Sequence, residues 1–203
     1  MKYVQLYVVV TMLAGGSALA HADSFEDGLL AAKAGDYATA LAKWQDLAKQ
    51  GNALAQFNIG IMYMHGRGVT QDYAQALQWY RLAATQGYAA AQLNIGVMYN
   101  KGQGVAANYF EAAQWFRQAA EQGVAKAHYN LAAMYAVGHG VPQDYVLAYT
   151  CFNLAEAYGY DKAAEDGGRI AHLLTPAQRE EAQALAARWR PGKPLPSKMS
   201  ASR

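Results

Sequence analysis

The stretch from Ala53 to Tyr88, ALAQFNIGIMYMHGRGVTQDYAQALQWYRLAATQGY, is followed without a gap by Ala89 to Val124, AAAQLNIGVMYNKGQGVAANYFEAAQWFRQAAEQGV, and the two agree at 20 of 36 positions. Unrelated stretches would agree at about three, and self-similarity at a fixed period is the mark of a solenoid. A third copy, Ala125 to Tyr160, keeps the punctuation through Ala127, Asn130, Met134, Tyr135, Gly138, Gly140, Val141, Asp144, Tyr145, Ala148, Ala155 and Gly159. Upstream, Asp36-Tyr37-Ala38-Thr39-Ala40-Leu41 stands 36 residues ahead of Asp72-Tyr73-Ala74-Gln75-Ala76-Leu77, so the second half of an earlier unit is present. Its first half, near Phe25 to Lys33, is shortened and lacks the Gly-x-Gly-Val loop. Past Asp161 the pattern fades, as a terminal unit facing solvent should.

Each copy reads as two helices. Ala55, Ile59, Met62 and Tyr63 recur at three- and four-residue spacing and make one apolar stripe, in which Gly60 leaves room for a close helix contact. Gly66 and Gly68 stop that helix, and Val69 plugs the loop into the core. Asp72, with Asn108 and Asp144 as counterparts, stands where a second helix begins and can accept from its free backbone amides. Tyr73, Ala76, Leu77, Tyr80, Ala83 and Ala84 form the second stripe, and Gly87 closes the unit.

Ala53 to Tyr63, then Gly66-Arg67-Gly68-Val69, Asp72-Tyr73, Trp79-Tyr80, Ala83-Ala84 and Gln86-Gly87, resemble the Sel1-like repeat, a relative of the tetratricopeptide repeat. The resemblance implies an all-α fold, a right-handed α-α superhelical solenoid of helix hairpins. Its units would be a degenerate hairpin at 23–52, repeats at 53–88, 89–124 and 125–160, capping helices at 161–190, and a flexible tail at 191–203. The stretch from Leu174 to Trp189 resembles the closing helix that follows such repeats, with Thr175 as its cap and Pro176 in its first turn.

Residues 1–22 read separately. Lys2 supplies a positive end, an apolar run from Tyr3 to Leu13 is broken only by Gln5 and Thr11, and small residues lead into Ala20-His21-Ala22. That is the pattern of a secretory signal peptide cut after Ala22, with a cut after Ala20 as the alternative, and it predicts a periplasmic or secreted protein. The apolar run is too short to span a bilayer, so no stable membrane insertion is expected after cleavage. Seventeen basic against 15 acidic residues, with no block of like charge in the repeats, argue against a nucleic-acid partner. The single cysteine excludes an intrachain disulfide framework.

Catalysis needs nucleophile, base and charge-stabilising groups in one place, and no such cluster recurs within or across the copies. His65, His128, His139 and His172 occupy different repeat positions without metal-ligand spacing, and each is expected on the surface or in a groove. Cys151 falls where Trp79 and Trp115 stand in the sister copies, so it reads as packing and not as a nucleophile. The Gly-x-Gly-Val loops follow a helix and lack the Lys-Ser/Thr of a phosphate-binding loop, so they read as repeat joints. No cofactor or metal is indicated, and the chain is not expected to be an enzyme.

What remains is a surface. By resemblance to tetratricopeptide-type solenoids, the first helices line a concave face, and the candidate ligand-binding row is Phe57, Asn58, Ile61 and His65; Leu93, Asn94, Asn100 and Lys101; and Lys126, Tyr129 and Asn130. Asn58, Asn94 and Asn130 form a ladder at 36-residue spacing that either hydrogen-bonds a peptide backbone or braces the helices. Variation between copies marks Phe57, His65, Lys101, Lys126 and Tyr129 as the residues that choose a partner. The function so implied is a scaffold that binds a protein or peptide; the alternative is binding or hydrolysis of cell-wall fragments or β-lactams, an activity of cysteine-rich relatives whose paired cysteines this chain lacks.

Overall fold

A computed structural model describes residues 17–196, with side chains from residue 24 onward. Residues 1–16 of the predicted signal peptide and residues 197–203 lie outside the described residues. Among the described residues there are ten helices and no strand: α1 Ser17–Lys33, α2 Tyr37–Lys49, α3 Ala53–His65, α4 Tyr73–Thr85, α5 Ala89–Lys101, α6 Tyr109–Glu121, α7 Ala125–Val137, α8 Tyr145–Ala157, α9 Lys162–Ala171 and α10 Pro176–Arg188. Consecutive helices pack as hairpins and consecutive hairpins stack, which gives the all-α solenoid expected from the repeat.

The helix ends follow from capping chemistry. Oδ1 of Asp72 accepts from the Gln75 amide at 3.0 Å, Asn108 from Glu111 at 3.1 Å, and Asp144 from Val146 and Leu147 at 3.0 and 3.2 Å. Each satisfies amide donors that the helix itself leaves free. Gly66, Gly102 and Gly138 end α3, α5 and α7 in the left-handed region, their amides donating to the carbonyls of Met62, Met98 and Met134. Thr175 and Gln178 form a reciprocal capping box at the start of α10, with Pro176 at its first position.

Gly60 sits against the Tyr80 ring and Gly96 against the Phe116 ring; a β-carbon at either position would lie 2.6 Å from ring carbons. These two hairpins therefore seat a large aromatic at their centre where the facing helix carries no side chain, while the third unit has Ala132 at that position and buries Phe152. The second loop glycine has a different task. Gly68 rests on Tyr37, Gly104 on the backbone of Tyr73 and Gly140 on the backbone of Tyr109, so each Gly-x-Gly loop is seated on the second helix of the preceding unit. The loops are repeat joints, as their place after a helix implies.

The core runs across unit boundaries. Phe25, Trp44 and Leu47 pack with Ile59 and Met62, and Leu77 and Tyr80 pack with Ile95 and Met98. Each cluster combines the second helix of one hairpin with the first helix of the next, so no hairpin buries its apolar stripe alone. A polar pair accompanies the first two full units: Gln86 Nε2 donates to Gln56 Oε1 and Gln122 Nε2 to Gln92 Oε1, each at 2.8 Å.

The third unit breaks that rule. His128 and Tyr158 occupy the Gln–Gln positions and stack at 5.9 Å between ring centroids, while Trp189 meets the His128 ring edge-on at 4.9 Å. His128 is fully buried, which corrects the expectation of a surface or groove histidine. Residues after Pro191, read from sequence as the start of a flexible tail, pack against α6 as far as they are described. The Gly192 amide donates to the Glu121 carbonyl at 2.7 Å, the Leu195 amide to Glu121 Oε1 at 3.1 Å, and Leu195 is buried. The lone prolines do not free this stretch, because Trp189 and Leu195 supply apolar anchors on either side of it.

Candidate functional site: the groove along the first helices

Two hollows lie end to end along the face built by α3, α5 and α7. The first, of about 670 Å³, takes Phe57, Asn58, Ile61 and His65 from α3 and its end, Asn94, Val97 and Lys101 from α5, and Tyr80 from behind. The second, of about 480 Å³, takes Asn100 and Lys101 from α5, Lys126, Asn130 and Ala133 from α7, and Phe116 from behind. Val97 and Lys101 belong to both, so the hollows form one continuous groove. Nine of the eleven residues assigned from sequence line it.

The other two are drawn inward. Leu93 packs, partly buried, against the core of the third unit. Tyr129 donates from its hydroxyl to Asp166 of α9 at 2.7 Å, and its ring meets Phe152 and Tyr160 at centroid distances of 5.6 and 4.7 Å. The Asp166 carboxylate, as hydrogen-bond partner and neighbouring charge, holds the Tyr129 phenol up at about 12. The fading fourth unit thus claims the side chain that sequence variation assigned to a ligand. Phe57, at the same repeat position, makes the matching contacts to Tyr80 and Tyr88 at 5.6 and 4.9 Å, yet keeps one side toward the groove.

The asparagine ladder divides. Burial pushes the Tyr80 phenol's pKa up, and the Asn94 side chain beside its hydroxyl eases that push. Asn94 thus has a polar neighbour in the preceding unit. Asn58 is buried and lines the groove, but its Nδ2 has no hydrogen-bond partner. An amide donor left in that condition costs about 1–3 kcal/mol. Asn130 is half-buried beside Phe116, which has no hydroxyl to offer.

Sequence reasoning missed one set of groove residues. Arg67, Gln103 and His139 line the rim, and each is the middle residue of a Gly-x-Gly loop. The signal was available: one variable position inside an otherwise repeated loop, at 36-residue spacing. Arg67 reaches over the Tyr37 ring at 6.0 Å, and His139 stacks on Tyr109 at 4.8 Å. The loops are fixed by their glycines and only the intervening side chain is free to vary.

Cys151 is buried, and burial pushes its thiol up to about 12, so the thiolate that a nucleophile requires does not form near neutral pH. Among the described residues, no group of three or more His, Cys, Asp and Glu side chains is placed to hold a metal ion. No described helix is long and apolar enough to cross a membrane.

Stacked hairpins with a side-chain groove along their first helices define an α-α repeat scaffold. The Sel1 repeat pattern matches residues 53–88, 89–124 and 125–159, and the chain belongs to the Sel1 repeat family. Among solved structures it is similar to a Sel1 repeat protein from Oxalobacter formigenes, with 36% identity and a TM-score of 0.69 over 72% of this chain and 60% of that one. It is also similar to c5321, a protective antigen present in uropathogenic Escherichia coli strains with an SLR fold, at 26% identity and a TM-score of 0.58 over 82% of this chain and 44% of that one. The chain thus spans 60% and 44% of the lengths of these two proteins. No curated protein matches it.

Proposed function

We propose that this Sel1-repeat protein is an exported scaffold that holds a segment of a partner protein in the groove along α3, α5 and α7. Sel1 repeats typically serve protein–protein interaction. The observation that carries the reading to this face is the contrast between frame and lining. Glycines, alanines and aromatics that build the hairpins recur from copy to copy, whereas His65 and Lys101, or Arg67, Gln103 and His139, differ at equivalent positions and all line one groove. A rigid frame with a varied lining is what selective recognition of an extended ligand requires.

Export rests on the Lys2, apolar and Ala20-His21-Ala22 pattern. Cleavage after Ala22 would shorten α1 by its first six residues, 17–22, and leave Phe25, the first buried apolar anchor, in place against Trp44. N-terminal sequencing of the protein recovered from a periplasmic or culture fraction should begin at Asp23; a chain retaining residues 1–22 would refute export by this signal.

For the groove, a photo-crosslinking residue at Asn100 or Lys101 should trap a partner protein in cells, whereas one at Gln78 or Gln118, exposed on the second helices, should not. Adducts formed only from Gln78 or Gln118 would place the binding face on the opposite side and overturn the proposal.

A further inference from the structure

We infer that the segment held in the groove is acidic and extended, with two carboxylates about five to six residues apart; this rests on the reading of the groove as a peptide site. The groove's charged lining is of one sign. Arg67, Lys101 and Lys126 line it, with His65 and His139 beside them, and no Asp or Glu does, although acidic and basic residues are nearly balanced in the chain. Its two lysines are also unspent. Arg81 and Arg117, on the second helices, donate to the hydroxyls of Tyr99 and Tyr135, and Lys43 pairs with Asp27, but among the described residues Lys101 and Lys126 have neither an ion pair nor a hydrogen bond.

Lys126 is the telling residue. A cation in the last turn of a helix, such as Lys101 in α5, is favoured by the helix dipole, but Lys126 lies in the first turn of α7, where the dipole opposes it. Helix stability does not account for it, and a ligand carboxylate does. Asn58 adds an independent observation. Its buried Nδ2 lines the groove without an acceptor, so the groove's free hydrogen-bonding capacity at Asn58, Lys101 and Lys126 consists of donors waiting for acceptors.

The spacing follows from repeat register. Lys101 corresponds to Val137, eleven residues after Lys126. At a rise of about 1.5 Å per residue the two positions stand roughly 16 Å apart along the helix direction and, on neighbouring first helices, about 10 Å apart across it, a span of roughly 19 Å that an extended chain covers in about five to six residues. Phe57, Ile61, Val97 and Ala133 along the groove favour a peptide with apolar side chains over a nucleic acid, whose sugar-phosphate backbone would leave them uncovered.

The test is selection of random twelve-residue peptides displayed on phage against the intact protein, followed by affinity measurement of the enriched peptides as free, fluorescein-labelled molecules. Enriched peptides should carry net negative charge with acids four to six residues apart. Lys101→Glu and Lys126→Glu, both exposed positions, should each weaken binding by about two- to fivefold, the scale of one exposed ion pair. A Glu→Lys change in the peptide should restore affinity for Lys126→Glu. Groove-bound peptides of neutral or positive charge, insensitive to both substitutions, would overturn the acidic inference while leaving groove binding intact. Peptides that compete only at the outer face would overturn both. Tighter binding of a labelled oligothymidylate than of any selected peptide would replace the peptide with a nucleic acid and likewise overturn the inference.

Discussion

Acid should weaken this protein through His128, and the size of the effect can be worked from its surroundings. The imidazole is fully buried, neither nitrogen has a partner, and burial lowers its pKa from 6.5 to about 4. The unfolded chain therefore takes up a proton first as the pH falls through 6.5, and the folded chain follows only near 4. Stability is lost progressively across that window and levels off below it. Between about pH 7.5 and pH 4.5 the loss attributable to this one group is about 2.5 kcal/mol. The groups facing it, Tyr158 and Trp189, carry no carboxylate to offset the charge. Urea unfolding at the two pH values separates His128 from the carboxylates, which titrate in the same range: His128→Gln, the residue of both sister copies, should lose about 2.5 kcal/mol less than the parent on acidification. The variant's stability at neutral pH can differ in either direction without affecting that comparison. Equal acid losses in the two proteins would refute the reasoning. So would a ring-proton NMR titration of folded His128 centred near 6.5, which would mean that the faces of Tyr158 and Trp189 stabilise the imidazolium as cation–π partners.

Other perturbations test the frame and the groove separately. Gly96→Leu should destabilise the fold by about 3 kcal/mol or more, because the new side chain meets the Phe116 ring; an unchanged thermal midpoint would contradict the packing. Gly104→Ala should cost more than Gly87→Ala, since both have positive φ but only Gly104 abuts backbone, that of Tyr73; equal costs by chemical denaturation would mean the loop seat is loose. Asn58→Leu should leave stability unchanged or raise it by about 1 kcal/mol while abolishing selected-peptide binding, and a marked loss of stability would return Asn58 to a bracing role. Cys151 should resist a thiol reagent at mildly alkaline pH in the native protein and react rapidly in urea; rapid native reaction would mean the third unit opens readily.

Period, helix boundaries and caps were legible because they depend on residue types with local physics. Asp72, Asn108 and Asp144 cap wherever a helix must start, and Gly66, Gly102 and Gly138 end one wherever φ turns positive. The shortened first unit was legible too: three residues separate α1 from α2 where seven separate α3 from α4. Nine of the eleven residues that the resemblance placed along the first helices line the groove. Tyr129 and His128 were misread because Asp166 of α9 and Trp189, just after α10, meet them where the repeat no longer predicts the neighbour. A position's register says which way it points; it does not say what a non-repeating element has placed there.

The asparagine ladder carries that distinction furthest. Asn58, Asn94 and Asn130 are identical and evenly spaced, and identity across copies would ordinarily argue for one structural task. The residue that decides each one's task lies 14 positions earlier, on the second helix of the preceding unit: Trp44, Tyr80 and Phe116. Tyr80 has a hydroxyl, and the Asn94 side chain lies beside it. Phe116 has none. Trp44 offers only an indole N–H, a donor that goes to the Phe25 carbonyl at 3.4 Å and cannot accept, so the Asn58 Nδ2 donor is left unanswered. One aromatic choice per unit thus converts an invariant rung into either a brace or an open hydrogen-bonding group. Exchanging Tyr80 for Phe should accordingly free the Asn94 carboxamide toward the groove, and Phe116→Tyr should tie Asn130 down, with peptide affinity moving in opposite directions in the two variants.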